Sequence, residues 1–426
     1  MARGGHEKPA GPAISKGRGG GRLRRIRLAV QAHEQFRSRA LNLQASENLL
    51  SPAARAALSS DMASRYSLRL DAEVEGTFIH NAYGGTHWME EVEEEARSLA
   101  REVFRARHAL IEPIGGHVAA MVALLATTKR GGMVASCPQR FGGYTGYDAK
   151  FVPDMFGMRA CEWPFKEKSW NMDTAALPAF LKKAKPSTLV LGASYLLFPY
   201  DMRAVRDACK DARVRPTIVY DGSHAMGLIA GRAFQAPLDE GAAALFGSTH
   251  KSFFGPQGGV FLTNDEDLDR RARENLTWRT MDNAHENRIA ALAIALAEMQ
   301  HFGGSYAHRV VELAQSLGRA LDDRGVPVRF RDLGFTQSHQ LLLDERLTKK
   351  LYGLDSAAFS AELGQNSLVV DAVGRIGTAE LARCGAQASD MDELARLIHR
   401  AAKGSDVKAQ VEEFKSHLPA PAFVFD

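Results

Sequence analysis

Residues 221–259 read DGSHAMGLIAGRAFQAPLDEGAAALFGSTHKSFFGPQGG. An apolar, strand-like run (Thr217-Ile218-Val219-Tyr220) leads into the acid Asp221, and His224 follows three residues on. After a helix-sized gap, Lys251 sits in a small, hydroxyl-rich stretch, Gly247-Ser248-Thr249-His250-Lys251, ahead of a glycine-rich turn. An acid and a lysine that each follow a strand belong on the carboxyl edge of a parallel sheet, where such sheets bind ligands.

The surrounding pattern extends that reading. Short apolar runs at 109–112, 132–136, 188–192, 216–220, 242–246 and 259–263 predict strands, with helices at 88–106, 117–128 and 203–212 between them. Apolar strands alternating with helices imply an α/β fold with a mostly parallel sheet covered on both faces. An earlier helix is predicted at 26–37, followed by an extended stretch at 41–50. Beyond residue 283 the pattern changes to helices at 286–301, 305–323, 391–401 and 407–416, with short strands at 328–331, 340–343 and 374–377. We divide the chain into a basic, disordered tail (1–29), a large domain with its N-terminal segment (30–282) and a smaller C-terminal α+β domain (283–426).

The 426 residues suffice for two such domains. The formal charge is +4, but residues 1–29 hold eight Lys/Arg against the single acid Glu7, a balance of +7. Residues 30–426 therefore carry −3. A short basic tail reads as a solvated end, and nothing points to nucleic acid. No apolar run is long enough for a bilayer, and the tail has no apolar core for a secretory signal. Four scattered cysteines without CxxC spacing argue against zinc or a disulfide framework and fit a reducing cytoplasm. No metal is expected.

A lysine amine that can form a Schiff base, with a carboxylate to face a pyridinium nitrogen, is the layout that pyridoxal 5'-phosphate (PLP) requires. Asp221 taken alone could equally be a helix cap, and Lys251 a surface lysine. A helix N-terminus at Gly115-Gly116-His117 supplies backbone N–H groups suited to a phosphate. Arg375, in Gly374-Arg375-Ile376-Gly377-Thr378, could hold a carboxylate bidentately or a surface ion pair.

These segments, in this order, closely resemble the serine hydroxymethyltransferase branch of the fold type I (aspartate-aminotransferase-like) PLP enzymes. The resemblance covers roughly residues 40–400 and implies a mostly parallel, seven-stranded sheet. It makes Lys251 the cofactor lysine, Asp221 its ring-nitrogen partner, and His224 a neighbour of the cofactor oxygen. Ser194 matches a serine near the same oxygen, and Tyr144 falls where the family stacks a histidine on the ring. Gly115, Gly116, His117, Ser248 and Thr249 become the phosphate cradle. Leu43-Gln44-Ala45-Ser46-Glu47-Asn48 is similar to the family's ASEN element, which makes Glu47 the carboxylate beside the substrate hydroxyl and adds Ser46 to the substrate contacts. Arg375 matches the arginine for the amino-acid carboxylate. Tyr66 and Tyr83 match two family tyrosines, one of them contributed by the second subunit, so a homodimer with shared active sites is implied.

The chain departs from the housekeeping pattern at GGH (115–117), at Tyr144, across 66–85 and at 278–286. The stretch Leu333-Gly334-Phe335-Thr336-Gln337-Ser338-His339-Gln340 is similar to a segment of the threonine transaldolases of specialised metabolism, as are Gly255-Pro256-Gln257 and the ending 417–426. This implies cleavage of the Cα–Cβ bond of L-threonine and transfer of the glycyl unit to an aldehyde acceptor, with Lys251, Asp221, Glu47 and His250 or Tyr66 as working groups. Serine/glycine hydroxymethyltransferase or simple threonine aldolase activity is the alternative. A catalytically silent scaffold is the reading from a different class, and the intact Asp221, Lys251 and Arg375 set argues against it.

Overall fold

Seven strands build one sheet: β1 (His108–Leu110), β2 (Met133–Ser136), β3 (Arg159–Glu162), β4 (Thr188–Leu191), β5 (Thr217–Asp221), β6 (Ala244–Ser248) and β7 (Gly259–Thr263). Their order is β1-β7-β6-β5-β4-β2-β3. β7 runs against both neighbours, and every other pair is parallel. The structure is a computed structural model that describes residues 20–418 and 421–425.

Strands β4 to β7 are buried on both faces, which is why they read as continuous apolar runs rather than alternating ones. Val190, Val219, Phe246 and Phe261 pack under helices Gly116–Thr127 and Glu266–Leu276. Leu189, Leu191, Tyr220, Leu245 and Leu262 face the opposite layer, which includes Leu99, Met226, Ile289 and Leu292. Strand β3 escapes the sequence pattern: it is four residues long, sits at the sheet edge, and has its ends, Arg159 and Glu162, exposed.

Three expectations are corrected. The predicted helices at 286–301 and 305–323 are one 38-residue helix, Glu286–Asp323. Gly303 does not break it; a Cβ on Gly231 would meet the Gly303 carbonyl oxygen at 2.1 Å, so the small residues serve a close crossing. No strand forms at 328–331, where Phe330 takes a φ of 68° and only Val328 bridges to Leu343. The first helix spans Gly20–Arg39 and so includes residues 20–29, which were expected to be disordered. Residues 1–19 of the tail lie outside the described residues.

Two short ladders position the C-terminal part. Leu41–Asn42 pairs in parallel with Leu368–Val369. Gln340–Leu342 pairs with Arg375–Gly377, antiparallel, with Leu341 opposite Ile376. Among the described residues no helix is long and apolar enough to cross a membrane, and no group of side chains could hold a metal ion.

Candidate active site

Strands β5 and β6 end side by side, and their carboxyl ends carry the central groups. Asp221 is the last residue of β5 and is buried. Its Oδ2 accepts from the Tyr147 hydroxyl at 2.7 Å and its Oδ1 from the Ser223 backbone N–H at 3.0 Å. The helix that follows is capped at Ala225, so Asp221 is not a cap. Lys251 lies three residues beyond β6, with its Nζ 3.4 Å from His224 Nε2. Burial lowers the Lys251 amine to about 8; Asp221 opposes that shift and Arg375 adds to it. Burial first, then Lys251 and Arg375, holds His224 well below its ordinary range, so the ring is neutral.

The lysine loop is fixed from several sides. Asn48 donates to the Lys251 carbonyl at 2.7 Å, and the Tyr306 hydroxyl donates to the Ser252 carbonyl at 2.7 Å. The Thr249 hydroxyl donates to the Pro256 carbonyl at 2.7 Å. In this arrangement its proton is committed within the loop. Ser248 remains beside Gly116: a Cβ at Gly116 would meet Ser248 Oγ at 2.2 Å. Gly259 is held as tightly, since a Cβ there would meet the Gly115 carbonyl at 2.5 Å.

His117 opens the helix Gly116–Thr127, and its Nδ1 lies 2.8 Å from the Tyr144 hydroxyl. The two residues by which this chain departs from the housekeeping pattern at 117 and 144 are therefore partners. Tyr144 also meets Tyr147 edge-on, with ring centroids 5.3 Å apart. Burial, with Asp221 nearby, raises the Tyr144 phenol above its usual range, so it is a hydrogen-bonding group rather than a base at neutral pH.

Arg375 comes from the short ladder with Gln340. Asp371 accepts from its Nε at 2.7 Å, and the Ser194 carbonyl accepts from Nη1 at 2.7 Å. The guanidinium lies over the Tyr195 ring, 5.0 Å from its centre. Nη2 makes no hydrogen bond among the described residues, which leaves one edge of the fork for a ligand.

His117, Tyr144, Ser194, Asp221, Ser223, His224, Ser248 and Lys251 line one cleft with Gly116 and Ala193. Other expected residues sit apart. Glu47 is turned to Arg37, with which it forms an ion pair, and to Asn42 and Gln44 at 3.0 and 2.6 Å. Ser46 precedes it and makes no side-chain hydrogen bond among the described residues. His250, next to Lys251 in the chain, keeps a buried Nδ1 with no hydrogen-bond partner among the described residues, and burial, with Lys251 nearby, lowers it to about 4. Tyr66 and Tyr83 stack on each other at 5.2 Å and are half exposed, away from Lys251 within this chain. Sequence reasoning did not single out Tyr147 or Ser223, which sit within a few residues of recognised positions, and it quoted Gln340 only as the end of the 333–340 segment, with no role; Gln340 Nε2 lies 2.8 Å from His224 Nδ1, a contact distant in sequence.

The cleft suits an anionic, aldehyde-bearing pyridine. It offers an amine that burial makes easier to deprotonate, a carboxylate fixed by two donors, and a helix start where glycine alone fits against Ser248. PLP has these three needs.

Comparisons with known proteins agree. The serine hydroxymethyltransferase family, as a sequence profile, matches residues 24–398. The serine hydroxymethyltransferase of Methanocella arvoryzae is 35% identical over 418 residues, covering 93% of this chain and 95% of that protein. That of Methanosphaera stadtmanae is 33% identical over 416 residues, with 94% and 96% covered. Among solved structures, the L-threonine transaldolase from Pseudomonas fluorescens in its internal aldimine state aligns with a TM-score of 0.84 at 25% identity, over 95% of this chain and 94% of that one. The chain is a PLP-dependent transferase of fold type I and belongs to the serine hydroxymethyltransferase family.

Proposed function

We propose that this enzyme is a threonine transaldolase: it cleaves the Cα–Cβ bond of L-threonine, releases acetaldehyde and joins the glycyl unit to a second aldehyde, giving a new β-hydroxy-α-amino acid. The observation that carries this is where the transaldolase-like segment 333–340 goes. It brings Gln340 to His224 Nδ1, 2.8 Å away, so the transaldolase-like segment backs a residue that lines the Lys251 cleft. The similarity in fold to a transaldolase over nearly the whole chain supports the same reading. The rewritten segments 66–85 and 278–286 also meet: Ser67 to Asp71 and Met281 to Ala284 line one cleft of about 560 Å³.

PLP, when bound, supplies an electron sink for the bond that breaks at Cα. The residues of this chain do the rest. Lys251 would hold the cofactor through its amine. Asp221, fixed by Tyr147 and Ser223, would keep the ring nitrogen protonated. Gly115, Gly116, His117, Ser248 and Thr249 would hold the phosphate, and Tyr144 would lie beside the ring. Arg375 takes the substrate carboxylate on its free edge, which sets the substrate's rotation and so selects the bond to be cleaved. Glu47, released from Arg37, handles the hydroxyl proton with His250 or with Tyr66. Tyr66 and Tyr83 serve the site of a second copy, which makes a homodimer the working unit. Ser46 contacts the substrate beside Glu47.

The test is a spectral titration of the purified protein with L-threonine, L-serine and glycine, coupled to an acetaldehyde assay. A visible cofactor band that changes with threonine, with acetaldehyde released and a new amino acid formed from an added aldehyde, supports the proposal. Acetaldehyde without any carbon–carbon product from the acceptors tried makes the enzyme an aldolase. A response confined to serine and glycine and amplified by tetrahydrofolate makes it a serine hydroxymethyltransferase, the activity for which the archaeal relatives are named.

A further inference from the structure

We propose that Gln340 is a positioning residue that fixes the tautomer of His224 and so aims an N–H donor from His224 Nε2 at the working end of Lys251. The proposal rests on Lys251 being the cofactor lysine.

The argument is a chain of donors and acceptors. The Ser194 carbonyl can only accept, and Gln340 Nε2 lies 3.1 Å from it. The amide nitrogen of Gln340, not its oxygen, must therefore face Ser194. The second proton on that nitrogen goes to His224 Nδ1 at 2.8 Å. A ring nitrogen that accepts carries no proton, so the single proton of the neutral imidazole sits on Nε2. Nε2 is the atom 3.4 Å from Lys251 Nζ, and Nζ accepts its proton when the lysine nitrogen is in its neutral form.

The surroundings favour the same state. His224 is 4% exposed, and the groups that face it are Lys251, Arg375, His339 and His250. Each is a cation or a potential cation, so all disfavour a second proton on the ring. His339 stacks on His224, 5.8 Å away and nearly parallel. Its own Nε2 lies 2.9 Å from the Ala45 carbonyl, so His339 is likewise a neutral ring with its proton already placed. It cannot replace Gln340 as the donor to His224. Gln340 Oε1 is buried with no partner, and the amide is held through Nε2, by Ser194 and His224 with a longer approach to His339 Nε2 at 3.5 Å.

The position would be hard to select on packing grounds alone. Gln340 is 1% exposed, and its ladder neighbours Leu341 and Leu342 are apolar. A leucine there would avoid the buried, unpartnered oxygen. A side chain that keeps one uncompensated polar atom in order to place another suits a role at His224 better than one in the core.

The test uses full-length protein labelled with ¹⁵N at histidine, with His224 assigned through a His224→Gln sample. In the parent the imidazole nitrogens should report the Nε2–H tautomer alone. Gln340→Leu removes the donor and should give a mixture of tautomers. Gln340→Glu presents an acceptor to Nδ1 and should move a proton onto that nitrogen. In the cofactor-loaded protein, an acceptor near Nζ that loses its donor holds its own proton more tightly. The pH midpoint of the visible band should therefore rise by about half a unit or more in Gln340→Leu. A His224 that stays Nε2–H in both variants, with the midpoint unmoved within about 0.2 unit, overturns the proposal. If Gln340→Leu does not fold, the Gln340→Glu spectra decide alone. If the parent shows no visible band, the Lys251 reading falls, while the tautomer measurement still decides the role of Gln340.

Discussion

Lys251 can capture an aldehyde only as a free amine. In the fold, its amine sits at about 8 rather than 10.5, because burial outweighs the pull of Asp221 and Arg375 adds to burial. At pH 7 about one amine in ten is then neutral, against about one in three thousand for an ordinary lysine, a gain of roughly 300-fold. The perturbation is pH itself, applied to cofactor-free protein mixed with PLP, and the assay is the rate at which the visible band appears. That rate should rise about tenfold from pH 6 to pH 7 and level off above pH 8. A parallel titration with a small free amine corrects for the aldehyde's own ionisation. Asp221→Asn removes the one charge that opposes the shift, so its plateau should begin at lower pH. Arg375→Gln removes a like charge, so its plateau should begin higher. A parent rate that keeps climbing to pH 10, or an Asp221→Asn profile that coincides with it, would refute the electrostatic account.

Tyr147→Phe deletes a 2.7 Å bond to a buried carboxylate. It should cost about 1.5–3 kcal/mol of stability in thermal unfolding and weaken PLP retention in dialysis. Gly116→Ala should leave the circular dichroism spectrum unchanged yet yield protein with little bound cofactor, because its methyl meets Ser248 Oγ; adding Ser248→Gly should restore part of the loading. Arg383 and Glu298 form a fully buried ion pair, with the guanidinium 3.9 Å above the centre of the Phe254 ring. Arg383→Met should therefore cost about 3–5 kcal/mol and Arg383→Met/Glu298→Leu much less, as read from denaturant midpoints.

The strands of the sheet core were legible because burial on both faces writes them as apolar runs. Strand β3 was not, since an edge strand of four residues with charged ends carries no such run. The gap between His301 and Ser305 looked like a helix break because Gly303-Gly304 weakens any helix locally. Only the packing against Gly231 reveals why the helix continues. In the cleft, Asp221, His224, Ser194, Ser248 and Lys251 could be found together because each follows a strand on the same edge. Gln340 could not, since its meaning lies in contact with a residue 116 positions away. The resemblance assigned Glu47 a place by its motif, but a motif does not record the carboxylate's rotamer, and here Arg37, Asn42 and Gln44 hold it. The direction of the Thr249 hydroxyl was equally illegible, since it is set by Pro256, seven residues downstream.

The reversed direction of β7 shapes how the lysine is presented. Because β7 runs against β6, the loop 249–258 both leaves and rejoins the sheet at one edge, closed by a ladder from Ser248 opposite Gly259 to Ala244 opposite Thr263. A parallel partner would have required a crossover passing to the far edge and back. Closing ten residues against an adjacent ladder carries a small entropic cost, and the ladder meets it during folding. The loop that carries the nucleophile is thus tied down by the fold itself, which reduces what binding must spend on ordering it.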